Sequence, residues 1–313
     1  MKTVVIGASG HIEYALNSKN ANSICAFAKG SADEDMSRLS HLNLKSYANY
    51  KQMLVNEQPD IAVVNPHYYL NEEVIITCLE NNINCFVEKP ISFTQRGVER
   101  IKRAKLNSTA FLATMMIHRF EPWFVKAIEY YKNGEIGSLV KAHAQKSYKM
   151  GVKPRWMQDV KKFGGIIPWV GAHAIDWLLW LNLDTPKLKF AHKSIVGNKN
   201  NQGVETNATM VFALGQAMAT VSLDYLRPKN AAEHGDDQLK LVGDKGIIEV
   251  KNKSVSVQNE TTKWVKNFEP EINIFDEFVM AVQLQKDFRI NESDIFELAK
   301  LTAQANDMAK NNN

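Results

Sequence analysis

Cysteine is scarce in this chain of 313 residues: Cys25, Cys78 and Cys85 are the only three, each inside an apolar run. So odd and sparse a set excludes a disulfide framework and reads as buried thiols of a reducing, cytoplasmic compartment. No apolar run reaches the roughly 18 residues that a membrane span needs, so no membrane partner is expected. Positive charge is not concentrated either. The 38 Lys and Arg residues are scattered among 34 Asp and Glu, for a net charge of +4, which argues against nucleic acid as a partner. Nothing repeats along the chain, which excludes solenoids and propellers. His, Cys and Glu do not recur at ligand spacing, so no metal is expected. The N-terminus enters a strand at once through Lys2-Thr3-Val4-Val5-Ile6, without a signal-peptide layout.

What is present suits two globular domains. Hydrophobic residues make up 45% and charged residues 23%, ordinary values for a soluble protein. The first 117 residues alternate between strand and helix patterns. Strands are expected at Thr3–Ile6, Ile24–Ala28, Ile61–Val64, Ile83–Val87 and Phe111–Met115. Helical patterns lie between them: His11–Asn17, Tyr47–Asn56, Glu72–Asn82 and a stretch carrying Val98, Ile101 and Ala104. The run Ile61-Ala62-Val63-Val64 is apolar throughout, as in a parallel sheet buried on both faces. This repetition predicts a doubly wound α/β sheet.

The pattern changes after His118. A helix near Pro122–Tyr131 leads through Gly134-Glu135-Ile136-Gly137 to a long strand near Leu139–Ser147, and a Trp- and Leu-rich helix follows over 171–181. Strands then dominate, at Ala208–Leu214, Ala217–Leu226, Gln238–Val242 and Gly246–Val250. Helices at Phe275–Gln283 and Asp294–Ala309 close the chain, before an Asn311–Asn313 tail expected to fray. The expected division is a Rossmann-type domain over 1–117 and an α+β domain over 118–313, built on one large, mainly antiparallel sheet.

Two turns carry candidate chemistry. Val87-Glu88-Lys89-Pro90 closes a strand with a charged amine at its carboxyl end, where ligands bind in open α/β sheets. Pro90 restricts Lys89 to extended geometry and gives the Lys-Pro bond an appreciable chance of being cis. The first strand runs into Gly7-Ala8-Ser9-Gly10-His11-Ile12, where a dinucleotide pyrophosphate would lie. The three positions of a Gly-x-Gly-x-x-Gly loop hold Gly7, Ser9 and Ile12, with Gly10 extra. The second strand ends Ala28-Lys29-Gly30-Ser31 without a carboxylate. Lys29 and Ser31 therefore lean toward the 2′-phosphate of NADP, against the plainer reading of a solvated lysine in a loop.

With these residues in view the chain resembles the Gfo/Idh/MocA oxidoreductases, the group of glucose–fructose oxidoreductase and inositol dehydrogenase. The match is carried in order by the Gly7 loop, Asn65-Pro66-His67, Glu88-Lys89-Pro90 and Arg119-Phe120-Glu121-Pro122. Gly134-Glu135-Ile136-Gly137, Gly164-Gly165, Gly171-Ala172-His173-Ala174-Ile175-Asp176 and Gly243-Asp244-Lys245-Gly246 complete it. The resemblance implies NAD(P) on the first domain, against the Gly7 loop, Asn65, Pro66, His67 and Glu88. It implies hydride exchange with a hydroxyl carbon of a sugar, cyclitol or related polyol. Lys89 would hold and polarise the substrate oxygen and His173 would act as acid/base, because hydride leaves carbon only as the hydroxyl proton departs. The second sheet would form the substrate wall and pair into a homodimer or homotetramer.

Two positions depart from the family. Trp169 stands where many members carry an Asp four residues before the histidine, and Leu70 where a histidine often follows the Pro66 position. Asp176, one helical turn from His173, is the remaining candidate to orient histidine or substrate. Further substrate-contact candidates are Trp156, after Lys153-Pro154-Arg155, together with Trp169, Tyr225, Arg227 and His234. Read blandly, these are core aromatics, pocket wall and a solvated loop. Trp169 and the imperfect loop also motivate an alternative, a non-catalytic NAD(P)- or sugar-sensing protein of the same fold. A more remote reading is a glycoside hydrolase that oxidises its substrate transiently with bound NAD.

Overall fold

The computed structural model describes residues 1–198, 203–268 and 273–311. Residues 312 and 313 of the expected tail lie outside that set. The chain forms two compact units, of which the first joins Met1–Ile117 with Lys161–Phe163 and Ile272–Ala299.

Six strands build the first unit: β1 (Thr3–Ile6), β2 (Ile24–Ala28), β3 (Lys45–Tyr47), β4 (Ile61–Val64), β5 (Asn84–Val87) and β6 (Leu112–Thr114). Between them run helices α1 (Glu13–Leu16), α2 (Ser37–Ser40), α3 (Tyr50–Glu57), α4 (Asn71–Glu80) and α5 (Gln95–Leu106). All strand pairs are parallel, in the order β3-β2-β1-β4-β5-β6. The order reverses at β1 and β4, and the carboxyl ends of those strands form the crevice where such sheets bind ligands. Both strands are buried at every residue, as their apolar runs require.

The edge strand β3 had no apolar signature to announce it, since Lys45 and Ser46 are exposed. Helix α4 buries Val74, Ile75, Cys78 and Leu79, the face its spacing predicts. Thr94 caps α5 by accepting from the Gly97 amide at 3.0 Å. Helix α9 (Ile274–Leu284) also belongs to this unit, because Phe275 and Phe278 pack on Phe86 of β5 with ring centroids 5.2 and 5.4 Å away.

The second unit joins His118–Val160, Gly164–Glu271 and Lys300–Asn313. Its sheet contains β7 (Leu139–Tyr148), β8 (Lys187–Ser194), β9 (Asn207–Leu214), β10 (Ala217–Asp224), β11 (Gly235–Gly243), β12 (Gly246–Lys251), β13 (Ser254–Asn259) and β14 (Lys263–Asn267). The order is β14-β13-β12-β11-β7-β10-β9-β8. Only the central pair β7/β10 is parallel; the other neighbours run antiparallel. Helices α6 (Pro122–Lys132) and α8 (Ala172–Trp180), with the short α7 (Val160–Phe163) between them in sequence, follow: α6 packs against β12 and β13, α8 against β7 and β10. Helix α10 (Glu292–Asn311) contributes residues to both units.

Strand β11 starts at Gly235, three residues before the expected start at Gln238. Asp236 and Asp237 are held in the ladder opposite Ser147 and Lys146 of β7, so the pair lies inside the sheet and not in a loop.

Candidate active site

The first unit holds the turns where the sequence places a nucleotide. Gly7 adopts φ +79, and a Cβ there would stand 2.4 Å from both the Asn65 carbonyl oxygen and Pro66 Cα. Only glycine lets the loop after β1 press on the turn after β4 in this way. Asn65 braces the contact from both sides: Ser9 donates its amide to the Asn65 carbonyl, and Asn65 Nδ2 donates to the Ser9 carbonyl, each at 2.8 Å. Gly10 (φ +63) comes so close to Glu88 that a Cβ would lie 2.2 Å from its carboxylate. Ile12 is fully buried and precedes a helix of four residues. A loop of small residues from Gly7 to Gly10 at the switch point fits a dinucleotide, with His11 beside it; Ile12 turns its side chain into the core instead.

Glu88 is fully buried. Its Oε2 accepts from the His11 amide and faces His11 Nδ1, both at 2.7 Å. Burial pushes its pKa up, but His11 and Lys89 outweigh that, and the net shift is downward. Lys89 is 4% exposed, its amine 3.8 Å from Glu88 Oε1. The Lys89-Pro90 bond is cis. Asn71, at the start of α4, donates from Nδ2 to the carbonyls of Glu88 at 2.9 Å and Pro90 at 2.8 Å. The main chain on either side of the lysine is thereby pinned.

Around β2 the structure shows what the sequence did not. Glu34, buried, turns its carboxylate back to the loop. Oε1 accepts from the Ala8 amide and the Ser9 hydroxyl, Oε2 from the Gly30 and Ser31 amides, at 2.7–3.3 Å. Burial raises its pKa against those bonds. Arg38 donates to the carbonyls of Ala8 at 2.7 Å and Gly10 at 2.9 Å. Lys29 donates to the Ala32 carbonyl. Ser31 lies 3.3 Å from His67 Nδ1, and burial lowers the pKa of His67. Pro66 packs against Gly30, where a Cβ would meet its ring.

In the second unit, His173 sits in the first turn of α8, 5% exposed. Its ring stacks on His118, centroids 4.7 Å apart and planes 13° from parallel. Trp177 Nε1 donates to His118 Nδ1 at 3.1 Å. An indole N–H can only donate, so Nδ1 is the acceptor in that bond; Nε2 lies 3.3 Å from both Asp237 Oδ2 and the Lys146 amine. Lys146, fully buried on the inward face of β7, donates to the same oxygen at 2.8 Å. Burial lowers the pKa of Lys146 while Asp237 opposes the shift.

Glu121 stands 3.8 Å from His118 Nε2, and burial pushes its pKa up to about 7. A carboxyl that holds its proton longer in the native state loses stability as pH rises from its unfolded value of 4.5 to about 7. Glu121→Gln should therefore melt above wild type near pH 8 and at the same temperature near pH 4. An equal change at both pH values in thermal melts would refute the assignment.

Asp176 is 1% exposed and faces Arg119. Arg119 Nε reaches both carboxylate oxygens at 3.1 and 3.0 Å, and its terminal nitrogen donates at 2.7 Å. The carboxylate thus ties α8 to the turn before α6, where the sequence reading had it orient substrate or histidine. The Gly164-Gly165 turn, with φ +86 and +103, is also anchored. Glu205 accepts from the Ile166 amide and pairs with buried Lys193 at 2.6 Å, while Asn306 donates to the Gly164 carbonyl.

Trp169 and Tyr225 face each other at 6.1 Å, and the Lys153 amine lies over both rings, 4.8 and 4.5 Å from their centroids. Trp156 is half-buried in the turn Arg155–Gln158. Arg227 donates to the Glu233 carbonyl and pairs with Asp236 at 3.4 Å. His234 is exposed, its ring 5.4 Å from Tyr148. Glu34, Arg38, Asn71, His118 and Lys146 escaped the sequence reading. Only Lys146 had a usable signal: it continues the inward alternation of Ala142 and Ala144.

Residues 1–112 match the oxidoreductase family with an NAD-binding Rossmann fold, and residues 124–249 match the GFO/IDH/MocA C-terminal domain. A solved structure from Thermotoga maritima described as an oxidoreductase is 33% identical, with a TM-score of 0.94 over 100% of this chain and 99% of that one. The chain belongs to the GFO/IDH/MocA family and is an oxidoreductase with an NAD-binding Rossmann domain. Myo-inositol 2-dehydrogenase of Thermotoga maritima is 24% identical over 78% of this chain and 72% of its own length. Levoglucosan dehydrogenase, solved with NADH and levoglucosan, shares the fold at a TM-score of 0.84 and 13% identity, covering 100% of this chain and 98% of its own.

Proposed function

We propose that this protein is an NAD-dependent dehydrogenase that exchanges hydride between nicotinamide and a hydroxyl-bearing carbon of a sugar, cyclitol or related polyol. The observation that carries the reading is Lys89, a buried lysine whose flanking carbonyls are pinned by Asn71 at the carboxyl end of β5. The bound cofactor supplies the hydride acceptor and donor. Lys89 holds the substrate oxygen and stabilises negative charge as it develops there. His173 takes the hydroxyl proton in oxidation and returns it in reduction. The stack on His118 fixes the ring plane of His173, and Asp176 acts as a positioning residue through Arg119.

The cofactor preference follows from Glu34. Its carboxylate, at the edge of the Gly7 loop, suits ribose hydroxyls and repels a 2′-phosphate. We therefore favour NAD over the NADP preference that Lys29 and Ser31 suggested. Calorimetric titration should show NADH binding at least roughly tenfold more tightly than NADPH, a gap of ~1.4 kcal/mol, with Glu34→Gln narrowing it. Tighter NADPH binding by the wild type would restore the reading based on Lys29. A panel of polyols and aldoses, followed by NADH absorbance, tests the activity itself; cofactor binding without turnover across the panel would favour a sensor.

A further inference from the structure

His118 lies nearly parallel to three rings of the second unit. Phe124 of α6, and His173 and Trp177 of α8, have their planes within 20° of it and their centroids 4.8, 4.7 and 5.2 Å away. Both of its nitrogens are engaged. Nδ1 accepts from the Trp177 indole at 3.1 Å. Nε2 has Asp237 Oδ2 and the Lys146 amine at 3.3 Å each, and Glu121 at 3.8 Å. Tyr148 reaches the same Asp237 oxygen at 3.5 Å, and Lys253 bears on Glu121 from the turn after β12. Arg119, next in sequence, holds Asp176.

We propose that Trp177 and Lys146 keep His118 a neutral imidazole, so that His173 is the sole proton acceptor of the stacked pair. This rests on the assignment of His173 as acid/base of the dehydrogenase reaction. An imidazolium carries a proton on each nitrogen. A proton on Nδ1 of His118 would point at the indole N–H, break that bond and set two buried donors against each other. Asp237 alone would favour the charged ring. Its Oδ2 is already held by the Lys146 amine at 2.8 Å, and that amine brings positive charge as close to Nε2 as the carboxylate brings negative. The pull of Asp237 on a second proton is thereby offset. Glu121, pushed up to about 7 by burial, adds negative charge only above that value, where an imidazole has little tendency to protonate. The consequence falls on His173. On taking the hydroxyl proton it becomes a cation 4.7 Å from the His118 ring. A neutral ring leaves that charge unopposed, whereas an imidazolium would repel it. His118 therefore acts through its neighbour, as a positioning residue.

The test is an NMR titration of the full-length protein, isotope-labelled at its 8 histidines, from about pH 5 to pH 9. The signals of His118 and His173 are identified by their loss in His118→Phe and His173→Gln. His118 should keep the shift of a neutral ring throughout, while His173 moves as it binds one proton. Trp177→Phe keeps a flat ring and removes the indole N–H. In that variant both histidines should titrate, in two steps that belong to the pair. Kinetics read the same lock. The loss of kcat/KM in Trp177→Phe should be roughly 10-fold greater at pH 6 than at pH 9. His118→Phe combined with Trp177→Phe leaves no imidazole to protonate and should abolish that difference. Protonation of His118 in the wild type within this range overturns the proposal. So does a loss in Trp177→Phe that is equal at both pH values or survives the double substitution. Should Trp177→Phe fail to fold, the wild-type titration decides alone. If the wild type turns over no polyol or aldose, the dehydrogenase reading fails, and a silent His118 beside a titrating His173 still upholds the lock.

Discussion

Replacing Lys89 by alanine should lower turnover by roughly 10²- to 10⁴-fold, the usual worth of a group that polarises the reacting oxygen. NADH affinity should stay within ~3-fold, because the nucleotide loop is braced by other residues. The loop contacts of Gly7 run to Asn65 and Pro66, and Glu88 keeps both bonds to His11 without the lysine. The Asn71 bonds go to the main-chain carbonyls of Glu88 and Pro90, so truncating the side chain of Lys89 leaves them in place. Steady-state rates on a verified substrate, beside calorimetric NADH titration, separate the two effects. Near-normal turnover in Lys89→Ala would remove the lysine from the mechanism. Parallel loss of turnover and NADH binding would mark it as part of the cofactor site.

The second large effect is one of stability. Arg119 and Asp176 are 2% and 1% exposed and share three short nitrogen–oxygen contacts. Arg119→Met strips the buried Asp176 carboxylate of its three Arg119 contacts, a loss of about 3–5 kcal/mol. For a chain of this size that lowers Tm by roughly 10 °C. Arg119→Met combined with Asp176→Leu should recover much of the loss, because the desolvation cost of the buried carboxylate disappears with it. Thermal melts of the singles and the double form the cycle. The same variants settle what Asp176 does. If it positions α8, Asp176→Asn lowers Tm and leaves kcat at permissive temperature within ~10-fold of wild type. If it touches substrate, kcat collapses while the melt barely moves.

The fold was legible wherever burial is uniform or strictly periodic. Ile61–Val64 announced a central parallel strand because both of its faces are covered. Helix α4 was visible because Val74, Ile75, Cys78 and Leu79 recur at helical spacing on one buried side. Strand β3 was not visible: its residues carry no apolar pattern, and pairing with β2 alone makes it a strand. The start of β11 was missed for a related reason, since Asp236 and Asp237 read as loop until Ser147 and Lys146 stand across from them.

Candidate site residues followed the same logic. Residues in a local motif, such as Gly7, Glu88, Lys89 and His173, could be found from neighbouring sequence. Residues whose role comes from long-range contact could not. Glu34 is a carboxylate in a polar loop until it meets the amides of Ala8 and Gly30. His118 became a candidate only once α8 brought Trp177 to one nitrogen and His173 to its face. Asp176 could be named as a candidate but not paired, because Arg119 lies 57 residues away.

The first unit is assembled from both ends of the chain, with Ile272–Ala299 returning to it after the second unit is complete. Phe275 and Phe278 cover Phe86, which is fully buried in β5 two residues before Glu88. On the ribosome, where chains emerge N-terminus first, that covering arrives last. The strand that carries Lys89 must wait with an open apolar flank while almost two hundred further residues are made, since 188 separate Phe86 from α9 at Ile274. Nascent chains halted before Ile274 should therefore be the species that chaperones hold, and release should coincide with emergence of α9.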